Sequence, residues 1–221
     1  MFTFRPLVFA LLPLFAGCQM LGNLFTEEPA VSQPRIQGEL TQRGEQLLFK
    51  PCKDSTRYIL VGEQSAALAG QAHSLLADSG KPLFADLRGS LEPGAPEGQL
   101  NVTRLYKLQS EGRGCSDPNF KQLLMRASGN EPAWNINMNR KGLVLEQAGK
   151  APLALPYVEE QLPDGRFNIS TESDGLQLDL WLTPKTCTDS MTGSILHLTA
   201  ELNLNGKVLR GCGAYGAMRN D

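Results

Sequence analysis

Two leucine stripes constrain this chain more than any other feature. Leu176, Leu178, Leu180 and Leu182 recur at every second position, and Leu196, Leu198, Ala200, Leu202 and Leu204 do the same a little further on. A period of two belongs to extended strands that bury one face. Asn205-Gly206 follows the second stripe directly and suits a two-residue type I′ turn, so Lys207 to Gly211 should return as its hairpin partner. The same periodicity sets Trp181 and His197 on the polar faces of their strands. Upstream, Trp134, Ile136 and Met138 alternate with three asparagines. Leu143-Val144-Leu145 follows a Lys141-Gly142 turn, and Phe167-Asn168-Ile169-Ser170 precedes Ser173-Asp174-Gly175. At least six strands with regular turn signals predict an all-β barrel or sandwich over residues 115–217.

The segment 36–111 has a different grammar. Ile36 to Thr41, Gln46 to Phe49, Arg57 to Val61, Leu83 to Leu87 and Gln99 to Leu108 have strand composition, with a turn at Gly44 and a loop at 92–98. Between the third and fourth the period changes. Ala66, Ala69, Ala72, Leu75 and Leu76 fall at helical spacings and Gly80 is a stop signal, so a helix is expected over 63–78. Five strands and one helix in so short a stretch predict a small closed barrel of the OB type. Glu111-Gly112-Arg113-Gly114 reads as the junction. The expected fold class is therefore mainly β: two small antiparallel domains, the first an OB-like barrel with one helix.

The N-terminus speaks to address. A single cation, Arg5, precedes the apolar run Pro6 to Phe15, which is shorter than the roughly 20 residues a membrane-spanning helix needs. The run ends in Leu14-Phe15-Ala16-Gly17-Cys18, which resembles the lipobox of bacterial lipoproteins. The resemblance implies that residues 1–17 are a signal peptide and that Cys18 is acylated and becomes the mature N-terminus. It further implies, with Gln19 next, an outer-membrane address. Acyl chains buried at about 0.8 kcal/mol per methylene would hold such a protein stably. Residues 18–35, with Glu27-Glu28-Pro29 and Gln33-Pro34, read as a tether spanning about 23 Å as a flexible coil. Removing residues 1–17 from the 221 would leave 204, with 20 cations against 23 acids. That near-neutral balance argues against a nucleic-acid surface.

Without Cys18, four of the five cysteines remain: Cys52, Cys115, Cys187 and Cys212. An even number in an oxidising envelope compartment predicts two structural disulfides, with three pairings open. No Cys-x-x-Cys, Gly-x-Ser-x-Gly, His-Glu-x-x-His or Walker-type glycine loop is present. Only two histidines occur, His73 beside the helical stripe and His197 on a strand. No nucleophile and orienting acid accompany either, so no catalytic residue, cofactor or resident metal is assigned. Met138, Met191 and His197 have the softness that suits Cu(I), without a clustered motif, and Met138 sits in an apolar stripe.

Four stretches carry a family resemblance. Gly129-Asn130-Glu131-Pro132-Ala133-Trp134 is similar to the Gly-Asn-Glu-Pro-aromatic-Trp signature of a group of bacterial envelope lipoproteins, with Ala133 replacing the aromatic. Cys187-Thr188-Asp189-Ser190-Met191-Thr192-Gly193, Gly211-Cys212-Gly213 and Phe49-Lys50-Pro51-Cys52 resemble the group's other signatures. The halves are distantly similar to NlpE-type copper-response lipoproteins and META/HslJ-type β domains, which implies envelope homeostasis or stress work by analogy. In these signatures Gly129 and Pro132 are expected to shape a turn whose backbone Asn130 and Glu131 bond, with Trp134 seating the next strand. Cys187 and Cys212 flank the last hairpin, which favours a bridge between them and leaves Cys52 with Cys115. The expected function is non-enzymatic: a lipoprotein on the periplasmic face of the outer membrane, binding an envelope protein or cell-wall component, with Trp181 and His197 as candidate surface residues. The alternatives are a copper-responsive sensor or chaperone, and an inhibitor of a lysozyme-type hydrolase.

Overall fold

The computed structural model describes residues 33–173 and 175–219. Cys18 and the apolar segment before it lie outside the described residues, as does most of the stretch read as a tether. The first five strands are β1 (Arg35–Arg43), β2 (Gln46–Pro51), β3 (Tyr58–Val61), β4 (Leu83–Glu92) and β5 (Gly98–Gln109), with helix α1 (Glu63–Ser79) between β3 and β4. β1 pairs with β2 and β4, β2 with β3, and β4 with β5, all antiparallel. A parallel pairing of β3 with β5 closes the ring. This five-stranded barrel with a helix between its third and fourth strands is the OB arrangement. Leu40, Phe49, Leu83, Leu87, Leu100 and Leu108 fill it.

Helix α1 ends where Gly80 adopts a left-handed conformation and donates its N–H to the Leu76 carbonyl at 2.9 Å. Its buried stripe is Ser65, Leu68, Ala72 and Leu75. That corrects the expected stripe: Ala66 is exposed, and Ala69 and Leu76 are half-buried. The helix is turned so that Leu68, which carries more apolar area than an alanine, is covered.

Nine strands follow: β6 (Met125–Asn130), β7 (Ala133–Asn139), β8 (Gly142–Gln147), β9 (Leu153–Leu155), β10 (Val158–Gln161), β11 (Phe167–Ser173), β12 (Leu176–Thr188), β13 (Ile195–Leu204) and β14 (Lys207–Tyr215). Each pairs antiparallel with its sequence neighbour from β6 to β9 and from β10 to β14, and β14 returns to β6. Only Pro156 and Tyr157 separate β9 from β10, so one bent stretch pairs with β8 on one side and β11 on the other. The strands thus form a closed antiparallel ring around one apolar cluster that holds Trp134, Ile136, Met138 and the inward leucines of β12 and β13. Closure gives β6 to β8 and β11 to β14 a partner on each side over part of their length.

The two rings are not independent. Ile195 and Leu196 of β13 pair with Leu108 and Lys107 of β5, so a single sheet runs through both. They also exchange side chains: Tyr106 of β5 is buried in the second cluster, and Ile195 of β13 in the first. Residues from Gln33 onward form one compact unit. At the seam the Arg35 guanidinium pairs with the fully buried Asp86 and reaches the carbonyls of Tyr215, Gly216 and Arg219. Lys107, half-buried beside them, is pushed down to about 8 by burial first and by Arg126 second, with Asp86 and Asp117 pulling the other way. Disulfides join Cys52 to Cys115 and Cys187 to Cys212, the pairing expected from the last hairpin.

Candidate functional site

The outer face of the second ring carries a groove of about 740 Å³. Strand register builds it. Trp181 of β12 lies opposite Glu201 of β13, which lies opposite Arg210 of β14. One step along, Thr183 faces Thr199, and Thr199 faces Cys212. Directly opposed residues share a face, so the polar partners of the inward leucines form two outward rows. The Cys187–Cys212 bridge lies at one end, Asn130 and Asp189-Ser190 form a wall, and Arg166 comes from the β10–β11 turn.

Close backbone approach makes this possible. A Cβ on Gly129 would meet the Arg210 carbonyl oxygen at 2.2 Å and Trp134 Nε1 at 2.4 Å, and one on Gly211 would meet the Ser128 oxygen at 1.9 Å. Only glycine lets β6 and β14 pair here. Gly129 and Asn130 therefore belong to strand β6, which corrects the expectation that Gly129 shapes a turn; Pro132 does lie in the turn, which is Glu131-Pro132, both exposed. Asn130 does not bond that turn's backbone either. Its Nδ2 donates to Asp189 Oδ2 at 3.0 Å and to Ser190 Oγ at 3.4 Å. Trp134 is 3 % exposed and seats β7 in the core.

Asp189 organises the β12–β13 loop. Its Oδ1 accepts the N–H groups of Met191 (3.0 Å) and Thr192 (2.8 Å) and the Thr192 hydroxyl (3.0 Å). Burial pushes its carboxyl up, but these bonds and the one from Asn130 outweigh that and hold it below the usual carboxylate range. Gly193 closes the loop by donating to the Asp189 carbonyl at 2.9 Å, and a Cβ there would meet Leu75 of α1 at 3.0 Å. Met191, 76 % exposed, stands at the loop's apex.

Three signature stretches around Asn130, Asp189 and Cys212 thus meet at one groove with Trp181, which is 38 % exposed. His197 lies elsewhere: it packs edge-on against Tyr106 and Tyr215 at the seam, with Nδ1 2.9 Å from the Tyr106 carbonyl. Met138 is in the core, apart from exposed Met191. Among the described residues no three His, Cys, Asp or Glu side chains are gathered to hold a metal ion. No helix among them is long and apolar enough to cross a membrane. Sequence reasoning missed Thr183, Thr199, Glu201 and Arg210. The Asn205-Gly206 turn held the signal, because it sets Leu204 against Lys207 and hence Glu201 against Arg210. No protein-family model, curated protein or solved structure matches the chain.

Proposed function

We propose that the chain is a lipid-anchored lipoprotein on the periplasmic face of the outer membrane that binds an envelope protein or cell-wall component and catalyses nothing. Cys18 carries the anchor, and the groove beside Trp181 is the binding surface. One observation carries the second half of this reading: stretches about 60 and 80 residues apart in sequence, around Asn130, Asp189 and Cys212, converge on the groove. The lipobox-like Leu14 to Cys18 supports the first half.

Two measurements test it. Cys18→Ala should move the protein from the membrane fraction to the soluble one; retention in the membrane overturns the anchor. A photo-crosslinking residue at Thr183 should capture a discrete product in intact envelopes, while one at Gln64, exposed on α1, should not. Equal or absent capture at the two positions overturns the groove as the binding surface.

A further inference from the structure

The groove's lining narrows what it can hold. Along the middle of its floor β13 is paired on both sides, Glu201 with Trp181 of β12 and Arg210 of β14, and Thr199 with Thr183 and Cys212. Between β12 and β14 the floor therefore offers no open backbone edge for an extended peptide to join as an added strand. On that floor a ligand meets side chains. Trp181 offers the one large, partly exposed apolar face, flanked by Thr183, Thr199 and Ser190 hydroxyls and by Glu201 and Arg210. The charged groups on the lining cancel in sign, Asp189 and Glu201 against Arg166 and Arg210. That balance disfavours a polyanion and a bare cation alike.

Glu201 and Arg210 are only loosely engaged with one another. Their closest approach is 3.7 Å, and their side chains are 51 % and 84 % exposed. Such a pair contributes little to stability, so each partner can turn to a ligand at small cost. Together the lining presents hydroxyls that both donate and accept, a carboxylate that accepts and a guanidinium that donates. A ligand bristling with hydroxyls, each donor and acceptor at once, satisfies all of them. One with a flat C–H face also covers the indole.

We propose that the groove is a saccharide site for a short, uncharged oligosaccharide whose pyranose ring stacks on Trp181 while its hydroxyls bridge Glu201 and Arg210. The cavity volume lies within the range of small-molecule sites. The proposal rests on the groove being the binding surface and adds the chemistry of the occupant.

The test is a titration of the full chain in a zwitterionic detergent, so that no sugar headgroup competes. The probes are the tetramer of N-acetylglucosamine and maltotetraose, with inorganic phosphate and an extended hexapeptide for comparison. Binding is read by calorimetry and by indole fluorescence; Trp134, the second tryptophan, is buried and reports little. One of the saccharides should give a saturable response at micromolar to millimolar concentration. Trp181→Ala should weaken it about tenfold or more, Trp181→Phe should retain part of it, and Glu201→Gln should weaken it while leaving the unfolding midpoint unchanged. No response to either saccharide overturns the proposal, as does a response that survives Trp181→Ala, or saturation by phosphate or peptide instead. If the saccharides are silent while Thr183 still captures a protein in envelopes, the saccharide assignment falls and the binding surface stands. If both are silent, both fall.

Discussion

Replacing Arg35 tests how the two rings are held together. Its guanidinium has five N–H donors, and five acceptors surround it. Nε donates to Asp86 Oδ1 at 2.9 Å, one terminal nitrogen to Asp86 Oδ2 and to the Tyr215 carbonyl, and the other to the carbonyls of Gly216 (2.8 Å) and Arg219 (2.7 Å). The group also lies 4.0 Å from the centre of the Tyr106 ring. The side chains of Arg35 and Asp86 are 4 % and 0 % exposed, so this pair is screened little by solvent. Arg35→Met would leave the buried Asp86 carboxyl group with only the Gln37 amide bonded to it, at 2.8 Å. Removing one partner of a buried pair costs about 3–5 kcal/mol, a large part of the 5–15 kcal/mol typical of a domain. Arg35→Met/Asp86→Leu should recover the charge penalty. It should remain about 1–3 kcal/mol below the parent, because the carbonyls of Tyr215 and Gly216 still lose their donor. Urea unfolding at pH 7 with the disulfides intact reads both values. Hydrogen exchange should localise the loss to Gly216, Ala217 and Met218, whose N–H groups bond Leu124, Phe120 and Leu123. A single-variant cost below about 1 kcal/mol would refute the reasoning, and so would a double variant no better than the single one.

Further outcomes follow from the same geometry. Lys107→Met should stabilise the fold at pH 7. Lowering the lysine from 10.5 to about 8 corresponds to at most about 3 kcal/mol. The advantage should be full below pH 8, where the folded parent holds a charge it disfavours, and should fade as pH rises towards 10.5, where both states are neutral; urea midpoints across that range check it. Asp189→Ala should cost about 1–3 kcal/mol by orphaning the loop's N–H groups and should raise exchange at Met191 and Thr192. Because its folded carboxyl titrates below the usual range, the stabilisation Asp189 provides is present above pH 4 and is lost on acidification through the lower folded value. Gly211→Ala should cost about 1–3 kcal/mol or more, since the Ser128 carbonyl must retreat, with the loss seen in thermal unfolding. Non-reducing peptide mapping should recover Cys52 with Cys115 and Cys187 with Cys212. Their sequence separations of 63 and 25 residues give about 4.3 and about 3.5 kcal/mol in the chain-entropy model, lost on full reduction.

What could be read from the chain follows the strength of its apolar signal. The leucine stripes of β12 and β13 and the β-branched and aromatic run of β3 place strands directly, because burying one face demands a period of two. Strand β6 escapes that reading: its inward residues are Met125, Ala127 and Gly129, two of them too small to register as a stripe, and at Gly129 β14 passes too close for a Cβ. Strand β10, Val158-Glu159-Glu160-Gln161, is exposed throughout and carries no apolar pattern at all, yet it completes the ring by pairing with β11. The seam between the rings was equally hidden, since Arg35 and Asp86 are 51 positions apart and a lone charge in a strand looks like a solvated one until its register is known.

The groove obeys the same logic in reverse. A threonine, a glutamate or an arginine between leucines reads as a residue facing water, and on most strands that is all it is. What distinguishes Trp181, Glu201 and Arg210 is their alignment in one row across three strands, and alignment belongs to register rather than to composition. The Asn205-Gly206 turn fixes half of that row. The other half depends on where β12 settles against β13, and the register shifts between Pro184 and Cys187. That irregularity occurs where the chain must reach the Cys187–Cys212 bridge and then enter the loop pinned by Asp189. The feature that blocks prediction of the row thus adjoins the one that builds its wall, and a deletion regularising β12 there, such as removal of Lys185, should displace Asp189 from Asn130 before it disturbs the leucine core.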